Sequence, residues 1–305
     1  MDLNLYSFIP IILCILLAAA VVVLAFRLKK INRKNTSSTN ITEEEKEILK
    51  SIEEGLKNNE FKMYLQFIVD NQTKHISSAD ALSRWENKAG EIVPPGKYIG
   101  LMEKFGLITH LDYYMFEKAC KKLSEWNGSE FDSLTVSCNF TRITISENDF
   151  VRKIQEIADK YSFDRSKLLI EITEDSIEKN MAAAISNIIR VKELGFKIAL
   201  DDVGSGYTSL INLCEYPIDV VKIDRELLML TEGENGKKLF LGILSLIHYL
   251  NIKAVCEGVE TDVQNDLVSS SECDYIQGWY YFKALPEAQA EENAKGYMDK
   301  IINNG

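Results

Sequence analysis

Six short apolar runs in the chain each deliver a polar group at or near their C-terminal end. LTVSCN (134–139) ends on Asn139, LLIEIT (168–173) carries Glu171, and KIALDD (197–202) ends on the pair Asp201–Asp202. VVKID (220–224) supplies Lys222 and Asp224, KAVCE (253–257) ends on Glu257, and YIQGW (275–279) carries Gln277. Carboxylates and an amide are hard oxygen donors, the set that suits Mg2+ or Mn2+. Adjacent acids such as Asp201 and Asp202 repel one another unless cations neutralise them. One of the pair could bridge two ions about 3.5–4 Å apart, the spacing used for in-line displacement at phosphorus. Lys222 could orient or help deprotonate the attacking water, and Arg84 could grip a phosphate through its planar fork. The residues therefore point to metal-assisted hydrolysis of a phosphate ester. Any one of them could be no more than a helix cap or turn residue. The same placement on six successive runs is hard to reach that way. His75, His110 and His248 are the three histidines, and none ends a run. That disfavours a histidine-rich metal site, a Ser/His/Asp triad and a Cys/His nucleophile.

Such groups must be brought to one place by the elements that carry them. Ahead of the six runs lie two more, FKMYLQFIV (61–69) and HISSADALSRW (75–85). The last six begin about 20 to 35 residues apart, with helix-period segments such as 177–194 and 237–250 between them. That is the rhythm of βα units on a parallel sheet. The first two runs are separated only by residues 70–74, which predicts an antiparallel hairpin. The expected fold class is α/β, a TIM-like (β/α)8 barrel with an antiparallel first strand, whose strand ends converge on the catalytic rim. A Rossmann-like sheet would also place groups at strand ends, but no GxGxxG opens a helix; DVGSGYTSL has only Gly204 and Gly206.

Length and charge agree with one large barrel behind an anchor. The chain has 305 residues and a formal charge of −11. Phe8 to Phe26 is a run of 19 residues without a charge. With Leu5 to Ser7 ahead of it, this run is long enough to cross a hydrocarbon core of about 30 Å. The basic cluster RLKKINRK follows the run, so the positive-inside rule places the N-terminus outside and the rest in the cytoplasm. Residues 1–34 are thus expected to be a transmembrane anchor with a basic flank, residues 35–44 a linker, and 45–305 the barrel. Thr42 and Glu45 form a capping-box pattern, opening a helix whose apolar face is Ile48, Leu49, Ile52 and Leu56 and which runs to about Asn58. Residues 35–305 hold 30 basic and 45 acidic side chains. So acidic a body is a poor partner for long nucleic acid, and metal ions would have to supply positive charge to a phosphate ligand. The six cysteines form no CxxC pair and read as buried thiols of a reducing compartment.

The motifs carry a family resemblance. DALSRW (80–85), NFT (139–141), EITE (171–174), ALDDVGSGYTSL (199–210), VKIDRE (221–226), CEGVET (256–261) and IQGWYY (276–281) occur in the order and spacing of the EAL domain. The chain resembles that family of bacterial cyclic di-GMP phosphodiesterases over about residues 45–290. The resemblance implies that Asp80, Asn139, Glu171 and Asp201 hold one metal ion. Asp201 and Asp202, with Glu257, would hold the second. Lys222 would position the attacking water, with Glu257 the other base candidate. Gln66, Leu82, Arg84, Asp224 and Gln277 would line the dinucleotide site, and Glu174 would brace the loop Asp202 to Ser209. It further implies two Mg2+ or Mn2+ ions per site, cyclic di-GMP as ligand, a linear pGpG product, a homodimer, and a single pass through a bacterial inner membrane by residues 5–27.

The chain departs from the pattern at the residue that names the family, where Asp80-Ala81-Leu82 stands for Glu-Ala-Leu. Aspartate keeps the charge but reaches roughly 1.5 Å less, and metal bonds tolerate deviations of only about 0.2 Å. Smaller departures are Phe67, Val203 and Ala284, where proline, phenylalanine and proline are usual. Every other proposed ligand is present, which favours an active enzyme. The alternatives are a catalytically weakened receptor for cyclic di-GMP and an interaction scaffold that uses the barrel only as a platform.

Overall fold

A computed structural model describes residues 42–173, 181–204, 213 and 216–304. The expected membrane anchor (1–34), the linker up to residue 41, Glu174 and residues 205–209 of the loop it would brace lie outside the described residues. Among the described residues no helix is long and apolar enough to cross a membrane. The chain separates into two units, residues 1–50 and 51–305, and the barrel lies within the second.

The first helix, α1 (Glu43–Lys57), opens with the capping box that the sequence predicts. The Thr42 amide donates to Glu45 Oε2 at 2.9 Å, and the Glu45 amide donates back to Thr42 Oγ1 at 3.1 Å.

Eight strands close into a ring. They are β1 (Phe61–Asp70), β2 (Ile76–Glu86), β4 (Thr135–Phe140), β5 (Leu168–Thr173), β6 (Lys197–Val203), β7 (Val220–Ile223), β8 (Lys253–Cys256) and β9 (Tyr275–Ile276). The two-residue strands β3 (Ile92–Val93) and β10 (Leu285–Pro286) extend β2 and β1 outside the ring. From β2 through β9 each ring neighbour is parallel, and β1 is antiparallel to both β2 and β9. The hairpin arises because Asp70 Oδ1 accepts from the amides of Gln72 (3.0 Å) and Thr73 (2.7 Å), a side-chain-stabilised turn that reverses the chain.

The helices α2 (Ile99–Lys104), α3 (Ile108–Trp126), α4 (Arg142–Ile145), α5 (Phe150–Ala158) and α6 (Met181–Glu193) accompany the first half of the ring. Its second half carries α7 (Arg225–Met229), α8 (Glu234–Tyr249), α9 (Asp262–Ser269) and α10 (Glu287–Asn304). Aromatic side chains fill the layer between strands and helices: the Phe116 ring of α3 lies 5.6 Å from Phe140 of β4, which lies 5.4 Å from Phe150 of α5. Phe67 belongs to the same layer, with ring contacts of 5.7 to 6.2 Å to Trp126, Phe131 and Phe282. The aromatic ring here secures a buried strand interior. Cys120, Cys138, Cys256 and Cys273 are buried free thiols, as expected; Cys14 and Cys214 lie outside the described residues.

Candidate active site

Lys222, the third residue of β7, is 4% exposed in a strand that is otherwise wholly apolar. A buried ammonium is costly unless charges of opposite sign surround it. Its Nζ lies 2.7 Å from Asp80 Oδ2, 2.6 Å from Glu171 Oε1 and 2.7 Å from Glu257 Oε1, with Asp201 Oδ1 at 4.0 Å. Three strands and the residue after β8 thus send carboxylates to one lysine. Burial alone would depress the Lys222 pKa; Asp80, Glu171, Glu257 and Asp201 override it and hold the value well above that of an ordinary lysine. Lys222 therefore keeps its proton.

The shortened residue reaches this cage. Asp80 is 2% exposed, and its two oxygens serve different partners. Oδ1 accepts the hydroxyl of Ser137, and Oδ2 accepts Lys222 Nζ and the Gln277 side-chain amide, each at 2.7 Å. Gln277 also reaches Gln66 Oε1 at 3.4 Å, and Gln66, the register partner of Asp80 across the hairpin, donates to the Phe282 carbonyl at 3.0 Å. Gln66, Asp80, Glu171, Asp201, Lys222, Glu257 and Gln277 are thereby linked around one centre.

Whether that centre suits a cation is decided by what it leaves unsatisfied. Glu171 is fully buried, and its Oε2 has no hydrogen-bond partner among the described residues; nor has the buried Gln277 Oε1. Orphaned buried oxygens are rare because each loses its hydration without return. Asp80, Glu171 and Glu257 present carboxylate oxygens within 4.8 Å of one another. An all-oxygen donor set with open positions fits Mg2+ or Mn2+. Burial pushes the Glu171 pKa well above the usual carboxylate range, Lys222 pulls it back, and Asp201, Asp80 and Glu257 add to the rise. Burial likewise lifts Glu257 to about 8 against the pull of Lys222, with Asp201 and Asp80 reinforcing the shift. A divalent ion would reverse both.

The acidic pair sits on an irregularity. The β6–β7 register shifts between Leu200 and Val203, and Asp202 has φ +60°. A bulge re-aims side chains that strict alternation would send to opposite faces. The Asp202 amide donates to Asp201 Oδ1 at 2.9 Å, fixing that carboxylate.

Beside the cage is a cavity of about 590 Å³, lined among others by Leu82, Arg84, Asn139, Arg142, Ile143 and Thr173. Its wall continues the chain from cage members: Leu82 follows Asp80 by two residues and Thr173 follows Glu171 by two. Asn139 is exposed at the end of β4, in register with Glu171. Arg84 hydrogen-bonds the Ser83 carbonyl at 2.8 Å and lies over the Tyr64 ring at 5.8 Å. Asp224 caps α7, its Oδ1 accepting the Glu226 amide at 2.6 Å. Two residues that the sequence reading passes over stand here, Ser137 on Asp80 and Arg142 on the cavity wall.

A protein-family model described as the EAL domain matches residues 49–284. The chain belongs to the EAL domain family. A signaling protein, YkoW, of Bacillus subtilis is 28% identical over 79% of this chain and 30% of its own length. The cyclic di-GMP phosphodiesterase NbdA of Pseudomonas aeruginosa is 27% identical over 83% of this chain and 33% of its own length. The chain thus spans about a third of the curated relatives it matches. Among solved structures, the PaMucR phosphodiesterase in complex with c-di-GMP superposes with a TM-score of 0.75 at 25% identity, over 80% of this chain and 99% of that one. The eight-stranded ring with one antiparallel member is this EAL domain's barrel, and the cage is built from residues within β1, β2, β5, β6 and β7 and from those that follow β8 and β9.

Proposed function

We propose that this chain is a membrane-anchored phosphodiesterase that hydrolyses one phosphodiester of cyclic di-GMP, giving linear pGpG, with two Mg2+ or Mn2+ ions. The observation that carries the reading is the Lys222 cage, a buried lysine ringed by carboxylates with an orphaned oxygen on Glu171, beside a cavity bearing two arginines. Asp80, Asn139, Glu171 and Asp201 would hold one ion, and Asp201, Asp202 and Glu257 the other. Such ions, when bound, neutralise charge developing on the phosphoryl oxygens and acidify water.

The protein's own groups divide the remaining work. Lys222 keeps its proton, so it orients the attacking water as a hydrogen-bond donor. Glu257 is then the base candidate, its Oε1 2.7 Å from Lys222 Nζ, and bound ions would lower its raised pKa so that it is ionised near neutral pH. Arg84 and Arg142, both on the cavity wall, would neutralise the phosphate, and Gln66, Leu82, Asp224 and Gln277 would line the dinucleotide. Water oxygen bonds to phosphorus, the bond from phosphorus to the ribose 3′ oxygen breaks, that oxygen leaves as a hydroxyl with a proton from solvent, and the product keeps a 5′ phosphate. Residues 5–27 would cross a bacterial inner membrane once, with the barrel in the cytoplasm. We take the active form to be a homodimer, the assembly that the resemblance implies.

The reaction is tested by incubating detergent-solubilised protein with cyclic di-GMP and Mn2+ in 18O-labelled water. Linear pGpG carrying one 18O on its 5′ phosphate is the expected product. Ligand that stays bound and cyclic would replace this reading with the receptor alternative. Anchoring is tested by fractionation: the full chain should sediment with membranes, and a membrane-free full chain would contradict it.

A further inference from the structure

Asp80 and Ser137 face one another in register across the parallel pair β2 and β4, and both are buried, at 2% and 5% exposure. A buried hydroxyl must find a partner, and this one donates to Asp80 Oδ1. The other oxygen, Oδ2, takes Lys222 and Gln277 at 2.7 Å each. With its two oxygens held by partners on β4, β7 and the residue after β9, the carboxylate cannot turn without giving up a hydrogen bond.

We infer that Ser137 is a positioning residue of the metal centre: its hydroxyl locks the short carboxylate of Asp80 in the orientation that faces Glu171 and Glu257. A glutamate would reach the centre by its extra methylene and would rely on this hydroxyl less. Ser137 thus offsets the departure from the family motif. The inference rests on the proposal that the cage binds divalent ions. It is tested by metal binding alone, without substrate or turnover.

The experiment is a calorimetric titration of Mn2+ into the full-length, detergent-solubilised protein after chelator treatment. Loss of an outer partner of a metal ligand lowers affinity by about 10–100-fold, so Ser137→Ala is expected to raise the Mn2+ dissociation constant at least about tenfold. Ser137→Thr, which keeps the hydroxyl, should bring it back to within about threefold of wild type, and a melting curve confirms that each variant is folded. In an Asp80→Glu background the added Ser137→Ala change should cost less than about threefold, because the longer side chain no longer needs the brace. Wild-type affinity in Ser137→Ala overturns the inference, as does failure of threonine to restore binding or an undiminished loss with Asp80→Glu. Wild-type protein that binds no Mn2+ overturns it together with the metal reading. Normal wild-type binding with an indifferent Ser137→Ala overturns this inference alone.

Discussion

Replacing Lys222 by methionine shortens the side chain by one atom and removes its charge, so the change reads electrostatics with little added cavity. Nζ stands 2.6 to 2.7 Å from three carboxylates, and these three present oxygens within 4.8 Å of one another. Removing one partner of a buried ion pair costs about 3–5 kcal/mol. Two like charges at the cage's 4.8 Å limit repel by about 3.5 kcal/mol at an effective dielectric near 20, which gives the same scale. A loss of about 3–5 kcal/mol lowers the melting temperature of a domain this size by roughly 6–20 °C.

The pH dependence has a fixed sign. Glu171 and Glu257 have folded pKa values above their unfolded ones, so the native state binds the extra protons. For Glu257 the interval runs from the unfolded value of 4.5 to about 8, and stability falls as pH rises through it. The raised pKa of Lys222 has the same sign, but its stabilisation is fully present at every pH below the unfolded value of 10.5 and so does not vary across this interval. Without the lysine both carboxyls shift further up. Denaturation of Lys222→Met in guanidinium with chelator should therefore show a small deficit at about pH 5 that widens towards pH 8. Mn2+ should narrow it by replacing the missing charge. A deficit equal at both pH values, or one that Mn2+ leaves unchanged, would refute the cage as the reason for the lysine.

Three further outcomes follow from other residues. Asp112 is buried, and its Oδ2 accepts the Thr141 amide, the Thr141 hydroxyl and the Thr144 hydroxyl at 2.9, 2.7 and 2.6 Å. Burial lifts its pKa from 3.8 to about 6 against those bonds, so its ionisation weakens the fold as pH rises between these values. Asp112→Asn removes this titration, its one carbonyl oxygen accepting two of the three bonds, and should gain about 2 kcal/mol relative to wild type between pH 4 and pH 7 in denaturant titrations. A Cβ on Gly278 would lie 2.0 Å from the Val259 carbonyl oxygen, so Gly278→Ala should destabilise by about 1–3 kcal/mol and, through the adjacent Gln277, slow turnover. Arg84→Ala should weaken cyclic di-GMP binding by roughly 10–100-fold, the worth of a charged hydrogen bond. Its Mn2+ affinity should stay unchanged in the same calorimeter.

The barrel was legible because a parallel strand buried on both faces must be apolar, so any polar residue in it stands out. LLIEIT is β5 residue for residue, and its one carboxylate proved to be the fully buried ligand candidate Glu171. The pattern of YIQGW predicts a strand to residue 279, yet β9 stops at Ile276. Gly278 there is pressed against the Val259 backbone, and a contact between segments about 20 residues apart leaves no local pattern. The bulge at Asp201–Asp202 is equally silent, since it depends on pairing with β7. Ser137 was missed because a serine within a strand is unremarkable until its partner, 57 residues away in sequence, is placed opposite. Arg142 carries no strand-end signal, because the cavity wall continues past β4 into the following helical turn. Asp224 shows the other side of strand-end reasoning, for its observed contact is the helix cap that any such residue could have been.

The central claim is that the Lys222 cage performs metal-dependent hydrolysis of cyclic di-GMP. Its most direct test is chromatography of the dinucleotide after incubation with the solubilised full chain and Mg2+ or Mn2+, beside a sample containing chelator. Steady conversion of cyclic di-GMP to pGpG over many turnovers, stopped by the chelator, is the expected result. Cyclic ligand recovered intact from protein that binds both it and the metal would contradict it.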